Sequence, residues 1–126
     1  MGNKNHLSKI LQSTSDVLFP AELGEKNVEI DSAGCDGDTP LHVMVWRKDR
    51  AAVDLLIKNG ANVNAIGDMS QTPLHVAISQ KDEYIVRSLL NAGARIDIRS
   101  EFNETALEKA LKVGGKIEEL LTKHLT

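Results

Sequence analysis

The sequence predicts an all-α solenoid of about four stacked helix pairs joined by hairpin loops. Three observations lead there. First, Thr39-Pro40-Leu41-His42-Val43 returns as Thr72-Pro73-Leu74-His75-Val76, a shift of 33 residues, and Thr105-Ala106-Leu107-Glu108 follows at the same shift. Second, 41% of residues are hydrophobic but only 3% are aromatic, so the core must be aliphatic. Third, proline and glycine punctuate each unit at fixed places, as helix starts and stops require.

Pro40 and Pro73 suit a first helical turn, where the missing N–H has no intrahelical role. Thr39 and Thr72 precede them as N-cap residues. The apolar spacing then predicts helices over 40–47 and 50–58, and again over 73–80 and 83–91. Gly60 and Gly93 stand just past each second helix, where a left-handed C-cap needs no Cβ. Segments 61–71 and 94–104 read as hairpin-like connectors. Gly37 and Asn103 suit positive φ in the turns, and Ser70 is a poorer choice.

The ends diverge from the unit, as terminal repeats do. Val28-Glu29-Ile30-Asp31 stands 33 residues before Ala61-Asn62-Val63-Asn64. Leu7, Ile10 and Leu11 form a helical stripe that Ser13-Thr14-Ser15-Asp16 interrupts, and Pro20 is placed to open a second short helix. At the other end Ile117, Leu120, Leu121 and Leu125 are expected to face inward, with Glu118, Glu119 and Lys123 outside. Leu120 and Leu121 come earlier than the register requires, which predicts a shortened or shifted last helix.

Segments 34–66 and 67–99 are identical at 12 of 33 positions, including the tail Leu56-x3-Gly60-Ala61 and Leu89-x3-Gly93-Ala94. Motif, period and Gly-Ala tail together resemble the ankyrin-repeat family. The resemblance is strong over 34–99, fair over 100–126 and weak before 34. It implies one domain over 1–126: a degenerate N-terminal repeat at 1–33, repeats at 34–66 and 67–99, and a C-terminal capping repeat at 100–126. Met44 stands where the family usually has Ala. It is expected to face the small Ala51 and Ala52, whereas Ala77 faces Tyr84 and Ile85, which keeps core volume constant.

The chemistry of an enzyme is not legible. His42 and His75 read as buried residues bonding backbone between repeats. They lack zinc-ligand spacing, and the chain has one cysteine, Cys35. No base stands beside Cys35, so an exposed free thiol is expected. Gly34, Gly37 and Gly67 are turn glycines and form no phosphate-binding loop. Neither a metal nor a cofactor is expected. The formal net charge of −3 argues against nucleic acid. No apolar run is long enough for a membrane span. The start lacks an apolar signal core, and His6 stands where the myristoylation pattern begun by Met1-Gly2 wants Ser or Thr, so neither a leader nor a lipid anchor is expected. A single cysteine fits a reducing, cytoplasmic setting.

The family resemblance implies protein binding through hairpin tips and the inner-helix face. By register the tips offer Cys35, Asp36 and Asp38, then Asp68, Met69 and Gln71, then Glu101, Phe102 and Glu104. The inner helices offer Trp46 and Arg47, Ser79 and Gln80, and Lys112. The tips thus carry five carboxylates and no base. With Trp46, Met69 and Phe102 as anchors, this surface suits a basic protein partner. The expectation is a protein, monomeric when free, that inhibits a toxin domain such as a nuclease, in the manner of an immunity protein. A scaffold or regulatory subunit is the alternative, separated by weaker affinity.

Overall fold

The computed structural model describes residues 2–18 and 28–124. The chain runs α1 (Gly2–Gln12), α2 (Ser15–Leu18), α3 (Pro40–Trp46), α4 (Arg50–Lys58), α5 (Pro73–Ser79), α6 (Glu83–Asn91), α7 (Ala106–Val113) and α8 (Gly115–His124). The two central pairs lie within a residue of the predicted spans. Pro20 and Leu125 fall outside the described residues. Among the described residues, β structure is confined to a single bridge between Arg99 and Thr105. The expected hairpins are therefore tight turns. Each is closed by one backbone bond at the same register: Gly34 N–H to Asp38 O (2.9 Å), Gly67 N–H to Gln71 O (2.9 Å), Ser100 N–H to Glu104 O (3.0 Å).

Local chemistry starts and stops each helix. Thr39, Thr72 and Thr105 hold extended φ/ψ as N-caps of α3, α5 and α7. The second helix of each central pair has its own cap, which the sequence reading overlooked. Asp49 accepts from Ala52 N–H, and Asp82 from Ile85 N–H. The preceding lysines, Lys48 and Lys81, both take φ of +57°. The repeated Lys-Asp dipeptide was the available signal. Gly60 and Gly93 take the expected left-handed conformation, at φ of +92° and +95°.

Packing produces two layers. Helix α3 packs on α5 and α5 on α7, while α4 packs on α6 and α6 on α8. The core between them is aliphatic, with Leu41, Val45, Leu56, Leu74, Ile78, Ile85, Leu89 and Leu121 all buried. Met44, Ala52, Ala77 and Ile85 are all buried in the same core. Ala51 and Tyr84, expected to face Met44 and Ala77, lie outside this core. Both are exposed on the outer layer, and the Tyr84 hydroxyl donates to Asp54 while Arg50 lies over its ring.

The histidines clamp neighbouring units. In each, Nδ1 accepts the threonine cap's own N–H, from Thr39 to His42 and from Thr72 to His75, at 3.1 Å. That assigns the proton to Nε2, which donates forward to Gln71 O (3.0 Å) and Glu104 O (3.1 Å). Both ring nitrogens are committed to backbone, and burial pushes both pKa values down from the ordinary value. The third unit has Glu108 at this position. It caps Thr105 N–H and pairs with Arg99. A second ladder runs beside the first: Asp31 Oδ1 accepts Asn62 N–H, and Asn64 Oδ1 accepts Arg95 N–H.

The ends depart from the pattern. Leu11 is buried and Leu7 and Ile10 half-buried, but α1 packs chiefly on the outer helix α4. At the other end α8 is shifted and not shortened. Gly114 and Gly115, at φ of +72° and +60°, replace the Lys-Asp turn, and α8 begins at the position that Asp82 holds as a cap. Its buried residues Ile117 and Leu121 consequently each sit one residue before the register of Ile85 and Leu89.

Candidate protein-binding surface

Superposing the turns by register gives a row of equivalent tip residues: Asp36, Met69 and Phe102. Glycine, serine and asparagine follow at Gly37, Ser70 and Asn103, all at positive φ. The second turn has a peculiarity. Met69 also takes a positive φ, +58°, so two successive residues are left-handed. Such a turn favours Asn-Gly. A methionine there costs about 1–2 kcal/mol in backbone strain. The strain brings no burial, since Met69 is 47% exposed and Phe102 63% exposed. Neighbouring tips are joined by Glu101 N–H donating to Met69 O at 2.9 Å.

The five carboxylates are not equivalent. Asp36, Asp68 and Glu101 are exposed. Asp36 accepts Asp38 N–H within its own turn. Asp38 is half-buried, and its Oδ1 accepts Asp68 N–H across to the next turn at 2.9 Å. Glu104 is half-buried and meets Lys112 Nζ at 2.7 Å, which holds the Lys112 pKa above its ordinary value. The charge available to a partner is therefore smaller than five carboxylates imply, because two of them join adjacent elements. Gln71 likewise serves the fold through its carbonyl, which accepts from Gly67 and His42.

Trp46 is 55% exposed, so it is not packed between units. It does not join the tip row either. It ends α3, whereas the tips precede the starts of α5 and α7. Seven residues of helix thus set it about 9 Å from the tip end of the inner layer. Its neighbours there are Gln80, whose Nε2 donates to Trp46 O at 2.9 Å, and the exposed Ser79. Gln80 Oε1 is buried without a hydrogen-bond partner. Arg47, expected to be available, donates to the Ser13 hydroxyl and carbonyl at 3.1 Å each and so ties α3 to the N-terminal segment. The expected surface therefore resolves into two groups: the row Asp36, Asp68, Met69, Glu101 and Phe102, and a separate patch at Trp46.

Cys35 is an exposed thiol on the first turn. Among the described residues no three His, Cys, Asp or Glu side chains gather in a metal-binding arrangement. Among them, too, no helix is long and apolar enough to cross a membrane.

A stack of repeated helix pairs, each clamped to the next and presenting exposed turn residues along one edge, defines a repeat module for binding other proteins. The family profile described as "Ankyrin repeats (3 copies)" matches residues 5–100, and the chain belongs to the ankyrin-repeat family. Members of this family are non-catalytic protein–protein interaction modules. No curated protein sequence matches the chain.

Proposed function

We propose that this protein is an inhibitory, immunity-type binding protein that acts in the cytoplasm on a basic protein such as a toxin domain. It binds as a monomer, as one domain spanning 1–126 with terminal units at 1–33 and 100–126. The carrying observation is the exposure of Met69 and Phe102 on successive turns, flanked by Asp68 and Glu101. Large apolar groups inside a charged rim are how protein interfaces concentrate binding energy. Exposed carboxylates speed encounter with a positively charged partner and make it sensitive to salt. Trp46 supplies a second anchor at the far end of the inner layer. Asp38, Gln71 and Glu104 hold the turns, and Arg47 and Gln80 hold the Trp46 end, through the bonds described above.

The test is recovery of the partner on immobilised protein, followed by measurement of its affinity and of its own activity. The proposal predicts a basic partner, a dissociation constant in the nanomolar range or below, and loss of the partner's activity on binding. A micromolar partner whose activity is unchanged would instead mark a scaffold or regulatory subunit.

A further inference from the structure

The tip row has a spacing as well as a chemistry. Helices α3, α5 and α7 pack in one layer, such helices lie about 8–10 Å apart, and each turn enters one of them, so the row Asp36, Met69, Phe102 is expected to advance by about that step. Few peptide conformations present successive side chains on one face at this interval. A polyproline II segment does: three residues per turn at about 3.1 Å each give roughly 9.3 Å. A β-strand returns to the same face at about 6.6 and 13 Å, and misses.

The turns also exclude a strand for a second reason. Added strands bind through main-chain bonds, and the tips have few donors to give. The N–H groups of Asp68, Ser70, Gln71, Glu101, Phe102 and Asn103 are all committed to acceptors within the chain. A polyproline II segment asks for none, because its own backbone stays solvated. The strained left-handed Met69, exposed where Asn would relieve the turn, then has an explanation. Its side chain is kept for contact, and strain held at such a position is a mark of function.

We infer that the tip row docks an extended, polyproline II-like segment of the partner, with large apolar side chains at positions i and i+3 against Phe102 and Met69 and a Lys or Arg at i+6 against Asp36. This rests on the binding surface proposed above and specifies what it reads.

The experiment uses the full chain and short fluorescent peptides in both sequence orders, followed by anisotropy. One set spaces the apolar pair at i and i+3 with the base at i+6. Control sets use i and i+2, i and i+7, and an acid at i+6. The i/i+3 basic set should bind at least about tenfold more tightly than any control. Met69→Asn should raise the melting temperature and weaken that peptide at least about tenfold, whereas Met69→Leu should keep its binding. Equal or tighter binding of the i/i+7 set would mean a helical partner and overturn the inference. So would no peptide binding, unchanged binding by Met69→Asn, or a lowered melting temperature in that variant. The two readings fail separately. A partner that loses affinity with Phe102→Ala while its segments show no i/i+3 preference removes only the peptide geometry. A partner indifferent to Phe102 removes both.

Discussion

The helix layers and the row of turns use unusual residues in opposite ways. Within the layers each oddity serves the fold. Lys48 and Lys81 accept left-handed backbone, and Asp49 and Asp82 then cap the following helices. His42 and His75 are buried polar rings, and each satisfies two backbone groups. Along the turns, Met69 carries strain and exposure together, and Phe102 is the most exposed of the large apolar residues described. Neither side chain is buried. The lesson is a division of labour: stability resides where odd residues are satisfied, and the proposed binding surface lies where they are not.

This division can be broken by perturbing each side separately. The largest effect belongs to the layers. Leu74 and Leu89 are fully buried, and Leu→Ala at either should cost about 2–5 kcal/mol of unfolding free energy in urea titrations. A smaller loss would mean that the layers are looser than close packing.

The histidines come next. His75→Ala should cost about 1–3 kcal/mol, because buried Thr72 N–H loses its partner and Glu104 O keeps only Ser100 N–H. Their depressed pKa values add a pH dependence whose sign follows from linkage. The folded state holds both rings neutral to lower pH than the unfolded chain, which protonates them at about pH 6.5. Unfolding therefore takes up protons below that pH. Stability should be full above it, fall as pH decreases, and level off once the lowered folded-state values are passed. The His42→Gln, His75→Gln double variant should flatten this slope. A slope that persists unchanged would place the titration elsewhere.

Smaller still are the effects expected on the outer layer, which serves as the control for binding. Arg87 is exposed there, and Arg87→Glu should leave both stability and affinity within about 0.5 kcal/mol of the parent. Asp54 is a poorer control than its position in the sequence suggests, because it accepts the Tyr84 hydroxyl. Asp54→Lys should lose a little stability without changing affinity, as paired denaturation and binding measurements would show.

How much was legible follows the same line. The helix pairs, their glycine stops and the histidine clamps could be read because period, proline and threonine all signal locally at 39–47 and 72–80. The shift of α8 was half legible. Early leucines revealed that something moves, but only the left-handed pair Gly114-Gly115 shows that the helix begins sooner. The site was read less well. Register places Asp38, Glu104 and Arg47 outward, yet each reaches across sequence distance to Asp68, Lys112 or Ser13. Periodicity carries no information about such cross-element partners. Nor does it reveal that Met69 is left-handed, since its equivalents Asp36 and Phe102 are not.

The most direct test of this division is the Met69→Ser, Phe102→Ser double variant, measured for urea midpoint and for affinity toward the basic partner recovered on the protein. The account predicts a midpoint that does not fall and an affinity reduced at least about tenfold, as for removal of interface anchors. A midpoint that collapses while affinity holds would contradict it, and would make the exposed turn residues part of the fold.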